Sequence, residues 1–126
     1  MRTGAEIVID WDELRDRLCG DNDLVGVVVD LFIEECPGWL AAIVAAVAAA
    51  DPERVRATAH ALKGAAANLS ARGVAAAAAR LERMGSEGNL SGSTVACAEL
   101  SAECDRLLSV LRQAAGGVTS GVFTGR

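Results

Sequence analysis

His60 is the only histidine among the 126 residues. Near neutral pH one ring nitrogen of an imidazole is unprotonated and free to accept a transferred group. His60 lies in the run Ala59-His60-Ala61-Leu62-Lys63-Gly64-Ala65-Ala66-Ala67-Asn68-Leu69, which reads as one helix. At about 100° per residue, Val55, Ala59, Leu62, Ala66 and Leu69 fall within roughly 40° of a common apolar direction. His60 points about 140° away from that direction, toward solvent. Lys63 and Gly64 follow at the next turn on the same side, and Arg56 sits one turn before. An outward imidazole with a cation beside it suits nucleophilic group transfer. Gly64 costs the helix about 1 kcal/mol relative to alanine, in a chain rich in alanine. It lies about 180° from the apolar stripe, so its use there is to leave the approach to His60 open. No second histidine or carboxylate stands three or four residues from His60, so it is not read as a metal ligand.

The elements that must hold this group are helices. Residues 1–6 read as a flexible arm. A short helix starts near Asp10, with Trp11, Leu14 and Leu18 on one face. Gly20-Asp21-Asn22-Asp23 stops it and restarts the chain. A long apolar segment follows from about Asp23 to Ala49. Its expected core stripe is Leu24, Val27, Val28, Leu31 and Phe32, continued by Leu40, Ile43, Val44 and Val47, and Pro37 is expected to kink or split it. Asp51-Pro52-Glu53 is a helix start, with a capping acid, proline in the first turn and a second acid behind it. That helix runs to about Leu69. Ser70 is expected to cap the next, to about Met84, before a loop at Gly85-Ser86-Glu87-Gly88-Asn89. The last helix spans Ser93 to Ala115 around Leu100, Cys104, Leu107, Leu108 and Leu111. Gly116-Gly117 is expected to end it, leaving residues 116–126 as a disordered tail. Short connections make sequential helices antiparallel neighbours. The expected fold is therefore all-α: an antiparallel up-down-up-down four-helix bundle over residues 7–115, with a short N-terminal capping helix.

Composition agrees with that class and removes others. One chain of this length holds one domain. Alanine is abundant, and aromatics make up only 3% of residues, which favours close helix packing over a β-fold. The formal net charge of −5 argues against a nucleic-acid binder. No unbroken apolar run of about 18 residues marks a membrane span, and no signal segment opens the chain, so the expected location is the cytoplasm. The four cysteines, Cys19, Cys36, Cys97 and Cys104, form no Cys-x-x-Cys pair and are read as reduced thiols. No metal site is expected.

The run from His60 to Leu69 resembles the signature of histidine phosphotransfer (HPt) domains, in which His-x-Leu-Lys-Gly-Ser/Ala surrounds the phosphorylated histidine. Phe32 and Pro37 are similarly placed to the Phe-x-x-x-x-Pro pattern common in the family's second helix. The resemblance covers roughly residues 7–112 and implies the same helical bundle. It implies a phosphoryl carrier in a two-component phosphorelay, with His60 accepting the group from a receiver aspartate and passing it to another. Lys63 would stabilise phosphate charge, as Arg56 would if it reaches, and Gly64 would keep access open. Glu82, 22 positions after His60, falls where the family often has a polar residue. A glutamate there would orient a protonated imidazole but repel a phosphoryl group. Asn68 is read as a packing or capping residue. Ala57 and Ala67 would give the partner a flat, partly apolar surface. Implied partners are response-regulator receiver domains, and a hybrid sensor histidine kinase upstream. The chain would bind no cofactor, the receiver would bring Mg²⁺, and the protein would be a monomer without an ATP site. Ala65 stands where the family often has serine, and Ser70 where it often has glycine. The rivals are a helical adaptor that kept the scaffold without the chemistry, and the histidine domain of a chemotaxis-type kinase.

Overall fold

Hydrogen-bonded caps define where the chain turns helical. The computed structural model describes residues 8–119; the expected arm, 1–6, and residues 120–126 of the expected tail lie outside the described residues. Helix α1 spans Trp11–Arg17, and the Asp10 carboxylate accepts the Glu13 N–H at 3.0 Å. Helix α2 spans Asn22–Ala48, and Asp21 accepts the Leu24 N–H at 3.0 Å. Helix α3 spans Pro52–Asn68, and Asp51 accepts the Arg54 N–H at 3.2 Å. Each acid satisfies a donor that has no partner inside its own helix. Helix α4 spans Arg72–Glu87 and α5 spans Ser93–Thr119. There is no strand among the described residues.

Helices α2, α3, α4 and α5 pack in a closed ring, each against two others, and α3 packs most extensively on α4. The expected apolar face of α3 is the observed one: Val55, Ala59, Leu62, Ala66 and Leu69 are all buried. The α5 stripe from Leu100 to Leu111 is buried as well. Helix α1 lies at the end of the ring where α3 hands over to α4. The Asp10 N–H donates to the Ser70 carbonyl at 3.1 Å, and Arg72 pairs with Glu13 at 2.5 Å.

Helix α2 departs from expectation twice. It is unbroken through Pro37. Phe32 and Cys36 before the proline and Ile43 after it bury into one core, and that shared packing outweighs the ~3 kcal/mol a mid-helix proline costs. With Pro37 inside a continuous helix, α2 is long and apolar enough to cross a membrane by length and composition, although its inner face packs into the ring. The buried face is only partly the expected one: Phe32 and Ile43 are buried, and Val28, Leu40 and Val47 pack against the core. Val25, Val29, Phe32, Cys36, Ile43 and Ala46 point inward, while Leu24, Val27, Leu31 and Val44 are exposed. Apolar residues spread well beyond one face of α2, and packing against α3 and α5 selects which of them are buried.

The last three corrections concern helix ends. Ser70 does not cap α4: the N-cap is Ala71, without a side-chain hydrogen bond. Ser70 is buried in the α3–α4 turn with φ +58°, a conformation that favours glycine. Helix α5 continues through Gly116-Gly117 to Thr119, four residues into the expected tail. A glycine weakens a helix without removing the amide that hydrogen-bonds, so the pair does not force an end. Helix α4 runs past Met84 to Glu87, where Gly88, φ +70°, closes it. Gly85 is therefore a buried helix residue, not part of a loop.

A Cβ on Gly85 would sit 2.5 Å from the Pro52 carbonyl oxygen and 2.6 Å from the Arg56 nitrogen. These are backbone atoms, which cannot swing aside. A Cβ on Gly64 would meet nothing within 4 Å. The two glycines should therefore respond oppositely to alanine. Gly85→Ala should lose about 1–3 kcal/mol through overpacking. Gly64→Ala should gain up to about 1 kcal/mol through helix propensity. Chemical denaturation of both variants checks this. An unchanged Gly85→Ala midpoint would mean that the helices do not cross so closely.

Candidate functional site

The alanine-rich faces of α3 and α4 bring two backbones together, and this puts a short glutamate within reach of the outer face of α3. Leu81 is fully buried and fixes the rotation of α4, so its neighbour Glu82 emerges at the α3–α4 seam. Glu82 Oε2 lies 2.7 Å from His60 Nδ1, and Glu82 Oε1 lies 2.6 Å from Lys63 Nζ. One carboxylate thus bridges the imidazole and the ammonium. The imidazole remains 63% exposed while Glu82 is only 20% exposed, so the carboxylate holds the ring by its Nδ1 edge from the protein side.

The Lys63 ammonium, and next the His60 imidazole, hold the Glu82 carboxyl below its ordinary value of 4.5. A carboxylate lowered on folding contributes above that ordinary value and is lost as pH falls through the lowered one. The bridge is therefore complete at neutral pH and fails only in acid below about 4.5. An ionised carboxylate only accepts hydrogen bonds, so the nitrogen facing it must carry hydrogen. In the neutral ring the proton then sits on Nδ1, and Nε2 holds the lone pair.

The other expected site residues divide. Gly64, Ala57 and Ala67 are exposed on the same helix as His60, and the outer surface there is small-featured. Arg56 is not brought to the imidazole. Its guanidinium is bidentate on Glu53, Nε to Oε1 at 3.0 Å and Nη2 to Oε2 at 2.5 Å, and Glu53 pushes its pKa up. A cation one turn before His60 is spent on the acid one turn earlier still, a pairing the helix geometry favours. Asn68 is exposed at the end of α3 and lines a cleft against α2. The four cysteines are free thiols, and only Cys19 is exposed. No group of three or more histidine, cysteine, aspartate or glutamate side chains could hold a metal among the described residues.

Two features escaped the sequence. The Glu82 bridge to Lys63 is not readable from the sequence, where the family resemblance points only to a polar residue at position 82. The exposed aliphatic row on α2 falls in the expected core stripe, although Asp23, Asp30 and Glu34 lie opposite the observed inner face and mark the outer side.

Comparison with known proteins comes from two directions. A family model, the Hpt domain, matches residues 27–114. The fold is similar to the crystal structure of histidine-containing phosphotransfer protein B from Pseudomonas aeruginosa PAO1, with a TM-score of 0.82 at 23% sequence identity, over 88% of this chain and 96% of that one. No curated protein matches the sequence significantly.

The bridge makes a spectroscopic prediction. Ring ¹⁵N shifts of His60 in its neutral form should report the tautomer protonated on Nδ1. Glu82→Ala should move it toward the Nε2–H form that a free imidazole prefers. Dominance of the Nε2–H form in the parent would contradict the geometry.

Proposed function

The chain belongs to the Hpt domain family, and from that premise we propose that it is a phosphoryl carrier of a two-component phosphorelay, with His60 as the carrying residue. The observation that carries the reading is the exposed imidazole of His60, held through Nδ1 by Glu82 with Lys63 on the same carboxylate. The proposed scaffold is an up-down-up-down four-helix bundle with α1 as its cap, which keeps α3 rigid beneath the site.

In the proposed forward step, the Nε2 lone pair attacks the phosphorus of a receiver's aspartyl phosphate. The N–P bond forms as the P–O bond to the aspartate breaks, and the carboxylate leaves with the bonding pair. The Nδ1 proton stays directed at Glu82, which stabilises the positive charge that develops on the ring. Return to a second receiver reverses this: its carboxylate attacks phosphorus, and the imidazole leaves with its lone pair restored. Transfer of this kind depends mainly on positioning and charge neutralisation. Lys63 supplies one positive charge and can turn from Glu82 toward phosphoryl oxygens. Mg²⁺ brought by the receiver would neutralise the rest. The proposed partners are therefore receiver domains, with a hybrid sensor kinase upstream, and the proposed setting is the cytoplasm. No ATP site is proposed for this chain, which would act as a monomeric carrier.

Incubation with phosphorylated receiver domains tests the reading. The chain should take up label that is lost in acid and kept in base, as a phosphoramidate is, and His60→Gln should take up none. Acid-stable label, or label persisting in His60→Gln, would refute it. Lys63→Ala should slow transfer several-fold at low salt, since an exposed charge beside phosphate is worth on the order of 1 kcal/mol. Gly64→Gln should fold normally yet cut transfer steeply, because a long side chain one turn on lies back toward the imidazole. A Gly64→Gln rate equal to the parent's would end the access argument.

A further inference from the structure

We propose that Cys36 of α2 and Cys104 of α5 form a peroxide-sensitive thiol pair that closes into a disulfide across the core, a modification site separate from His60 and independent of the phosphotransfer reading.

The packing of two helices sets the pair. Cys36 and Cys104 are both fully buried, at 0% exposure, in one core cluster. Cys36 shares the inner face of α2 with Phe32 and Ile43, and Cys104 shares that of α5 with Leu100, Leu107 and Leu111. A groove between the same helices fixes their register, because Val44 and Val47 of α2 line it together with Cys97 and Ser101 of α5. In the antiparallel bundle proposed above, eight residues back from Val44 is about 12 Å, and seven residues on from Cys97 is about 10.5 Å. Both steps arrive at the same level, one at Cys36 and the other at Cys104. There each thiol is the other's hydrogen-bond partner. A disulfide then asks that the two sulfurs close to about 2.05 Å. Cys97 is no competitor for Cys104, since seven residues along one helix is too far to bridge.

A buried thiol is ordinarily inert. Two features set Cys36 apart. Its hydrogen bond with Cys104, helped by the Arg112 guanidinium, holds the Cys36 thiol below its ordinary pKa. The same bond, with burial, pushes the Cys104 thiol up. Cys36 is therefore the nucleophile, and Cys104 the thiol that keeps its proton. The second feature is access. Pro37 follows Cys36 directly and has no N–H, so the Ile33 carbonyl lacks its usual helix partner. Gly38 behind it weakens the helix further. Local opening is easiest at such a point, and hydrogen peroxide is little larger than water.

The oxidant is a peroxide, and two steps balance it. The Cys36 thiolate attacks one peroxide oxygen and the O–O bond breaks. Cys36 becomes a sulfenic acid, and the departing hydroxide takes up the proton that Cys36 had released, giving water. The Cys104 sulfur then attacks the Cys36 sulfur. The S–S bond forms as the S–O bond breaks, and the hydroxyl leaves with the Cys104 proton as a second water. Two thiols are oxidised by two electrons, and one peroxide is reduced. The bond joins α2 to α5 and makes residues 36–104, which include α3 and α4, one covalent loop. Constraining the unfolded chain in this way stabilises the fold.

The test adds a small molar excess of hydrogen peroxide to the folded chain. Remaining thiols are alkylated in denaturant, and an unreduced digest is read by mass spectrometry. One crosslinked peptide pair should appear, Cys36 to Cys104, with Cys97 alkylated. The melting temperature should rise by about 10 °C or more over the reduced chain and fall back when a dithiol is added. Cys104→Ala should abolish both the crosslink and the rise, and Cys36→Ala serves should that variant fail to fold. Cys36 and Cys104 both still alkylated when the exposed Cys19 is already oxidised would overturn the proposal. So would a crosslink through Cys19 or Cys97, or a bond that forms only in denaturant. A crosslinked chain that melts no higher than the reduced one would overturn it as well, since the fold would then hold the two sulfurs apart.

Discussion

The close crossing of α3 and α4 is the constraint on which the site depends. Gly85 lets the α4 backbone come against Pro52 and Arg56 with no Cβ between them. A glutamate side chain is short, and Glu82 stands only three residues before that crossing. It reaches both His60 and Lys63 because the two backbones are close. A larger residue at Gly85 would push the helices apart where the chemistry needs them together. The alanines of both helices extend the same logic along the seam, for small side chains are what permit near approach. The chain's low aromatic content and high alanine content are thus conditions for the site, beyond marking a fold class.

Helix α3 was legible in the sequence because several signals agree. Asp51 and Pro52 start it, a five-residue apolar stripe sets its rotation, and the one histidine falls opposite that stripe. Where only one side of a helix can be buried, periodicity decides, and the buried set from Val55 to Leu69 follows it. Helix α2 defeats the same method. Leu24 and Val25, or Val27 and Val29, are equally apolar, so hydrophobic periodicity cannot choose between them. The charged residues separate them instead: Asp23, Asp30 and Glu34 lie on the side of α2 opposite Val25, Val29, Phe32 and Cys36. Gly85 was illegible. Glycine beside serine and before a second glycine reads as a loop, and only a partner helix explains why it is buried inside α4. Gly64, by contrast, was legible because its purpose is local: it keeps space open beside a residue one turn away.

The Glu82 bridge bears on what sort of carrier this would be. A carrier must hold its phosphoryl group without trapping it. Phosphorylation would add between one and two negative charges next to a carboxylate that already holds Lys63, while the guanidinium of Arg56 is hydrogen-bonded to Glu53. Lys63 can compensate part of that charge, and only by loosening its hold on Glu82. The arrangement favours the imidazole as attacking group through the Nδ1 contact, yet offers the phosphorylated ring little stabilisation. In the proposed carrier, opposed effects of this kind would bring the transfer closer to balance in both directions, which is what passing a group onward requires.

Separation of chemistry from recognition follows from the same geometry. One flank of His60 is occupied by charges that act on the ring, and the other opens onto small side chains and the aliphatic row of α2. The two surfaces lie on different helices, α4 and α2, with α3 between them. A change in the α2 row can therefore alter the surface on that flank without moving Glu82, and a change at Glu82 can alter the ring without reshaping that surface. Helix α2 can present leucine and valine outward because its inner face is filled by Val25, Val29, Phe32 and Cys36. The redundancy that hid its orientation in the sequence is what leaves an apolar surface to spare beside the histidine.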